Sequence, residues 1–518
     1  MTGSTRRRAR RDRRERRHAA ASVRRLPWRT VRNPHPPLRS LSEDQVEAIH
    51  GASLRVLRDL GMKVLSPRAR ALYAGAGALV DEGTAMVRFD PEMVEEHMAK
   101  APSAYSVRAR NPWKSLTFGG DVINFGLVAG PSFVSDLDRG RRAGDYEDFR
   151  NFMKLSYSFD IIHLGGSAPL APLDLPASTR HLDMYYAAIT LHDKVWGASM
   201  LGGFRAHDAV EMACIAHGAT RDRLPAEPIV SGGINTNSPR QLDANMSDAM
   251  IELASVGQPI IVTPFTLLGA MAPTTIAGAL TLQNAEALAG MVLCQIVRPG
   301  TPVAYGGFTS NVDLRTGAPA FGTPEYARAT QAGAQLARRC GVPFRASSTN
   351  ASNAVDAQAA YESEMSLWAS VMAHTNLVNH AAGWLEGGLT ASYEKLVIDA
   401  EMCQLIARYL EPVVVDDDTL AMDAIAEVPP GGHFFGAAHT LARYEDVFYE
   451  PIVSDWRNFE VWHESGALSA AERANAIWKQ LLAEYEPPPI DPGIDEALRE
   501  YVAKRKRAIE AGEVPLEQ

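Results

Sequence analysis

The sequence predicts an α/β chain built on a closed (β/α)8 TIM barrel, with an N-terminal α+β cap and a C-terminal helical extension. Three observations carry this. From about residue 130, short apolar runs recur, each followed by a polar or glycine-rich turn and a helical stretch, which is the pattern of parallel βαβ units. The runs are Ser132–Ser135, Ile161–Gly165, Val195–Ser199, Pro228–Ser231, Ile260–Thr263, Pro302–Tyr305, Pro343–Ala346 and Thr375–Val378, eight in all, the number that closes a barrel. Neither GxGxxG nor GxxxxGK[ST] follows an early run, so a doubly wound nucleotide-binding sheet lacks its usual mark.

The elements follow in chain order. Residues 1–39 form an arginine-rich tail: the run from Arg6 to Arg17 has no apolar face and repels itself, so disorder is expected. Residues 40–127 read as the cap. Ser42 caps a helix to Leu60, with Glu43, Asp44 and Glu47 near its positive end, Ile49, Leu54, Leu57 and Leu60 as an apolar stripe, and Gly61 closing it. Two shorter helices, Ser66 to Ala76 and Pro91 to Lys100, flank a strand at Met86-Val87-Arg88-Phe89. Residues 128–410 hold the barrel, and residues 411–518 a C-terminal extension packed on it.

Composition narrows the function classes. With 518 residues, 46% hydrophobic and 22% charged, the chain is ordinary globular material, too long for one common-sized core. No run reaches the roughly 18 apolar residues of a membrane span, and no apolar segment follows the basic start as a secretory signal requires. Cys214, Cys294, Cys340 and Cys403 lack CxxC spacing, which argues against a disulfide framework and for a reducing cytoplasm. The net charge of -9 hides twelve arginines within residues 1–30. Such a tail suits nucleic acid or an acidic partner, yet the body shows no interleaving of basic and aromatic residues, so a nucleic-acid partner is not expected.

In a barrel the chemistry sits at the C-terminal strand ends. The loops there are rich in glycine (Gly165-Gly166-Ser167, Gly202-Gly203, Gly232-Gly233, Gly306-Gly307), which implies a broad mouth that accepts something large. Asn235, Thr309, Thr349, Asn350 and Asn379 are polar but neutral, and Trp196, Phe265, Tyr305, Phe308, Tyr361 and Trp384 stand close by. Aromatic faces and neutral dipoles suit a quaternary ammonium. Trp196 and Tyr305, lying within strands, also read as core. No HExxH or HxH is present; His433 and His439 lie beside Gly431-Gly432, and His380 at the last strand exit is placed to orient or hydrogen-bond a ligand. No GxSxG elbow appears.

Many separated blocks, in order from about residue 40 to 505, resemble the trimethylamine methyltransferase family of corrinoid-dependent enzymes. They include Gly61-Met62-Lys63-Val64, Ser135-Asp136-Leu137-Asp138-Arg139-Gly140, Gly322-Thr323-Pro324-Glu325, Asp356-Ala357-Gln358-Ala359-Ala360-Tyr361-Glu362, Ser392-Tyr393-Glu394-Lys395, and Gly431-Gly432-His433-Phe434-Phe435. The resemblance implies a (β/α)8 barrel that moves a methyl group from an amine to Co(I) of a cobalamin held by a separate corrinoid-binding protein, in a self-associating enzyme. Pyrrolysine, which the trimethylamine users carry, is missing from this sequence. The chain therefore resembles the branch acting on quaternary amines such as glycine betaine, where the nitrogen leaves as a neutral amine and no acid–base residue is needed. The implied substrate-binding set is Trp196, Asn235, Phe265, Tyr305, Phe308, Thr349, Asn350, Tyr361, His380 and Trp384. The cofactor-facing mouth is Gly202, Gly203, Gly232, Gly233, Gly306, Gly307 and His433, with no bound metal or nucleotide. A betaine carboxylate needs a clamp, for which His380, Asn350, Asn235 and Arg315 are candidates. Two other readings remain open: a lyase or hydrolase on the same scaffold, and a non-catalytic protein that binds through its tail.

Overall fold

A curled, open eight-stranded sheet forms the centre of the protein in a computed structural model that describes residues 23, 26–166 and 168–514. The strand order is Val31–Arg32, Val122–Leu127, Leu377–Ala382, Phe344–Ser347, Val303–Gly306, Ile260–Pro264, Ser231–Thr236, Gly197–Ala198. All neighbours are parallel except the short Val31–Arg32 edge, which pairs antiparallel with Val122–Leu127.

The closed barrel expected from the count of apolar runs is thus corrected to an open half-barrel. No ladder joins Val122–Leu127 to Gly197–Ala198. Among the described residues the β-bridges across the gap are single ones from Leu164, to Gly126 and to Val195. The run Ile161–Gly165, expected as a strand, forms none. A side chain takes its place: Phe125 N donates to His163 Nδ1 at 3.0 Å, so an imidazole occupies a ladder position. Gly166, at φ +91°, then turns the chain away.

A second correction concerns Ser132–Ser135. It lies in a separate small sheet ordered Trp384–Leu385, Thr390–Ser392, Phe133–Asp136, Gly140–Ala143. Its place in the main sheet is taken by Val122–Leu127, all six residues of which are buried. Alternating burial in Phe133–Asp136 suits a rim element instead. The run expected at Pro228–Ser231 becomes strand only from Ser231 onward. Ile260, Val303, Phe344 and Leu377 begin strands within two residues of the expected starts.

Helices cover the convex face: Tyr146–Ser158, Arg180–Leu191, Gly203–His217, Ala244–Ser255, Ile276–Val297, Pro324–Arg339, Ala357–Met372 and Tyr393–Tyr409. Asp145, Asp243, Thr275, Thr323, Asp356 and Ser392 cap six of them, each accepting a first-turn N–H. Among the described residues only Ile276–Val297 has the length and apolarity of a membrane span, and 78% of that window is buried inside the protein. Ser42 caps Glu43–Arg55 as expected, but Val56–Leu60 continues as a π turn before Gly61.

The N-terminal end of the concave face is filled by the hairpin Tyr105–Val107/Leu116–Phe118, which clusters with Leu164, Val195, Ile261, Ala304 and Leu377. Beyond residue 411, helices Ala470–Ala483 and Pro492–Glu510 clasp the body. Trp478 Nε1 donates to Glu394 at 3.0 Å, and Tyr501 and Arg505 donate to Asp208 at 2.7 and 2.6 Å. The intervening stretch leaves large apolar side chains open, with Val413 87%, Phe435 82% and Phe448 80% exposed. The arginine run 6–17 and Ser167 lie outside the described residues.

Candidate active site on the concave face

Register settles which side chains look inward. Gly233 pairs with Ile261, Ile261 with Ala304, Gly306 with Arg345, Arg345 with Leu377, and Leu377 with Asn124. Residues in register on parallel strands share a face, and alternate residues repeat it. Ile261, Ala304 and Leu377 belong to the interior cluster. Gly197, Gly233, Asn235, Thr263, Gly306, Arg345, Ser347 and Asn379 therefore line the concave side, with small residues prominent nearest the strand exits. Gly233 and Asn235 are exposed while Ile234 between them is buried, so this face opens to solvent. Asn235 Nδ2 donates to Thr263 O at 3.0 Å.

Aromatic rings gather above this opening. Phe308 lies 5.1 Å from Phe265, 5.4 Å from Phe321, 6.5 Å from Tyr326 and 6.1 Å from Trp384, centroid to centroid. They come from distant parts of the chain, brought together because their strand exits are neighbours in the sheet. His380 joins them, 4.4 Å from Trp384 and 5.8 Å from Phe308. It sits at φ +55° within Leu377–Ala382, where the register shifts. That bulge turns two consecutive residues, Asn379 and His380, to the same side. Asn379 Nδ2 donates to His380 Nε2 at 3.2 Å, which places the imidazole proton on Nδ1, 3.1 Å from Ser347 Oγ. Burial, with the Arg345 charge adding to it, holds the His380 pKa well below its ordinary value, so the ring is neutral.

Arg345 is the charge in this site. Its guanidinium carbon stands 5.2 Å from the Phe308 centroid. The residue is 5% exposed, its Nη1 is buried without a hydrogen-bond partner, and no carboxylate pairs with it among the described residues. Burial brings its pKa down to about 10, so the cation persists at neutral pH. An unpaired buried cation is costly, and the chemical species that relieves the cost is an anion. The small sheets Phe133–Asp136/Gly140–Ala143 and Leu267–Leu268/Ser310–Val312/Pro319–Ala320 border the strand exits. A Cβ at Gly130 or Gly140 there would meet no atom within 4 Å.

The residues named from sequence divide. Phe265, Phe308, His380 and Trp384 come together, and Asn235 lines the opening. Asn350 is fully buried and braces Trp384: Nδ2 donates to Trp384 O at 2.7 Å, and Trp384 Nε1 donates to Asn350 O at 3.1 Å. Thr349 is buried next to it. Trp196 packs on Tyr185 at 5.2 Å and Tyr305 on Phe344 at 6.2 Å, both on the helix side. Tyr361 is 63% exposed on the outer face of Ala357–Met372. Arg315 is exposed on a turn. Gly233 and Gly306 face the concave side. A Cβ at Gly232 would strike Met200, and one at Gly307 would strike Phe344, so these two serve packing. Gly202, at φ +122°, precedes Gly203 at the start of Gly203–His217. His433 is exposed, with its ring 5.5 Å from Phe435. Sequence reading missed Arg345, Phe321 and Tyr326. For Arg345 a signal existed: a charge inside the otherwise apolar run Pro343–Ala346. Among the described residues no group of three or more His, Cys, Asp or Glu is placed to hold a metal.

Residues 6–510 match the family profile described as Trimethylamine methyltransferase (MTTB). The chain is 38% identical over 475 residues to the glycine betaine methyltransferase of Desulfitobacterium hafniense (strain Y51), spanning 92% of this chain and 98% of that protein. It is 30% identical over 469 residues to the trimethylamine methyltransferase MttB of Desulfitobacterium hafniense (strain DSM 10664 / DCB-2), spanning 90% and 93%. It is 28% identical over 484 residues to the trimethylamine methyltransferase MttB2 of Methanosarcina mazei, spanning 90% and 95%. Aromatic lining, a neutral histidine and near end-to-end similarity agree: the chain is an enzyme of the trimethylamine methyltransferase (MTTB) family of corrinoid-dependent methyltransferases.

Proposed function

We propose that this enzyme takes a methyl group from a quaternary amine bearing a carboxylate, glycine betaine or a related betaine. The observation that carries this reading is the juxtaposition of an aromatic cluster with one unpaired buried cation, Arg345, 5.2 Å from Phe308. A betaine has both complementary charges. Its trimethylammonium group suits the faces of Phe308, Phe321 and Trp384, and its carboxylate suits the Arg345 guanidinium. Trimethylamine and choline offer no anion and would leave Arg345 uncompensated.

Co(I) of a corrinoid carried on a separate protein supplies the nucleophile and accepts the methyl group. This chain's residues orient and desolvate the donor. With the carboxylate held on Arg345 and the nitrogen against the rings, a methyl group is aimed out of the strand exits, where the acceptor docks. The nitrogen departs as a neutral amine, so no proton has to be delivered to it. A neutral His380 fits that demand, donating from Nδ1 to Ser347 and carrying no charge that would repel the ammonium. We further propose that the enzyme self-associates, its open apolar stretch beyond residue 411 being covered by another chain.

The test mixes enzyme with reduced cobalamin or its carrier protein and a panel: glycine betaine, proline betaine, carnitine, γ-butyrobetaine, choline and trimethylamine. Loss of the Co(I) absorption with a carboxylate-bearing member alone is the expected result. Consumption of choline or trimethylamine at equal rates overturns the betaine assignment. Silence across the panel, with an active relative as control, overturns the quaternary-amine reading.

A further inference from the structure

The Trp384 wall of the site is tied to a charged pair deep in the protein. Lys395 and Asp399 lie one turn apart on Tyr393–Tyr409, 1% and 2% exposed, and Lys395 Nζ donates to Asp399 Oδ1. Two routes lead from the pair to Trp384. Along one, Asp399 Oδ2 accepts from Gly383 N at 2.9 Å, the peptide next to Trp384. Along the other, Lys395 Nζ donates to Ser363 Oγ at 2.9 Å, Asn350 Nδ2 donates to the same oxygen at 3.1 Å, and Asn350 grips both the carbonyl and the indole of Trp384. Ser363 and Asn350 are themselves buried. Gly388 closes the far side: a Cβ there would stand 2.4 Å from the Trp384 ring.

A helix does not need an ion pair at this depth. The pair's desolvation cost is large and hydrophobic residues of similar volume often serve stability as well. What the pair does here is satisfy a ring of hydrogen bonds that ends at one side chain of the binding site. We propose that Lys395 and Asp399 are positioning residues for Trp384, setting the indole plane against which the quaternary nitrogen packs. The second half of this statement rests on the function proposed above; the first half stands on the contacts alone.

The experiment labels the full-length protein with 5-fluorotryptophan and records 19F spectra. The chain has eight tryptophans, and the Trp384 resonance is identified by its loss in W384F. In D399N and in K395M that resonance is expected to shift or broaden while most of the others keep their places. S363A, which keeps the ion pair and removes one relay hydroxyl, is expected to move the same resonance less. Calorimetry with glycine betaine then reads function: D399N is expected to weaken binding about tenfold, and to have no further effect in a W384F background. Should D399N fail to fold, K395M/D399L, which removes both charges, replaces it. An unmoved Trp384 resonance in folded variants overturns the proposal. So does a loss of affinity that persists in full without Trp384. If the wild-type enzyme binds no quaternary amine while the resonance still moves, the positioning role stands and the substrate reading falls.

Discussion

At the scale of single residues, the betaine reading proposed above has Arg345 trade stability for recognition. Its charge is buried without a counterion among the described residues. Replacing it with methionine, similar in length and neutral, should therefore raise the folded protein's stability by about 1–4 kcal/mol. The same change should abolish the preference for carboxylate-bearing ligands. Thermal denaturation and calorimetry read the two effects, and a lower melting temperature for R345M would show that the guanidinium has a structural partner. Glycine betaine should raise the wild-type melting temperature and leave that of R345M unchanged. His380 belongs to the same scale. Burial keeps its pKa well below the ordinary value, and a quaternary amine has no proton to titrate. Binding measured between pH 6 and 8 should thus be flat; a step near pH 6.5 would show that His380 is accessible and titrates normally.

At the scale of elements, glycines on one sheet have opposite duties. Gly306 and Gly233 both face the concave side. A Cβ at Gly306 would come within 2.0 Å of Thr263 Oγ1, whereas one at Gly233 meets nothing closer than 3.9 Å. G306A should cost about 1–3 kcal/mol through overpacking. G233A should leave the melting temperature nearly unchanged and still weaken ligand binding, since it fills space in the opening. Equal destabilisation by both would mean that the concave face is packed and holds no ligand. Elements also show what was legible in advance. Asp356, Tyr361 and Glu362 read as a helical stretch after the seventh apolar run, and the structure has helix Ala357–Met372 there with Asp356 as its cap. Tyr361 was assigned to the site because it follows a strand exit, but the buried residues Ala359, Ser363, Ser366 and Ser370 define the inner face, and Tyr361 falls opposite them. Helical phase, which depends on where the first turn begins, decides this. His380 was legible as a residue at a strand exit. The bulge that turns it inward beside Asn379 was not, because a bulge is a property of two strands.

At the scale of the whole molecule, buried histidines set the response to acid. His163 and His192 are held down at about 3 and His217 at about 4, in each case chiefly by burial. Below the unfolded value near 6.5 the unfolded chain takes up protons that the folded one refuses. The stabilisation is complete above pH 6.5 and is lost as pH falls, by up to about 2 kcal/mol for each group between pH 6.5 and 5. Melting temperatures should fall steadily over that range, and a constant melting temperature would show these rings to be solvated. The open apolar stretch around Val413, Phe435 and Phe448 predicts a particle heavier than one 56.3 kDa chain. Light scattering at micromolar concentration should return a multiple of that mass, and a monomer would leave the stretch to another partner.

The sequence by itself determined the α/β class, the starts of most strands, the first helix with its Ser42 cap, and the residue types at the strand exits: glycines, neutral amides and aromatic rings. Those features are local, written in the spacing of apolar residues and in the turn chemistry that follows them. Only the tertiary structure decided that the sheet stays open, because His163 takes a ladder position through a contact with Phe125, 38 residues earlier in the chain. Trp196 and Tyr305, lying within strands, were readable both as site and as core; register between strands sets them on the helix side, away from Phe308 and Trp384. The tertiary structure alone also brought Arg345 beside Phe308 with no counterion among the described residues. A lone arginine in an apolar run carries no sign of what surrounds it, because its neighbours come from other strands and loops of the fold.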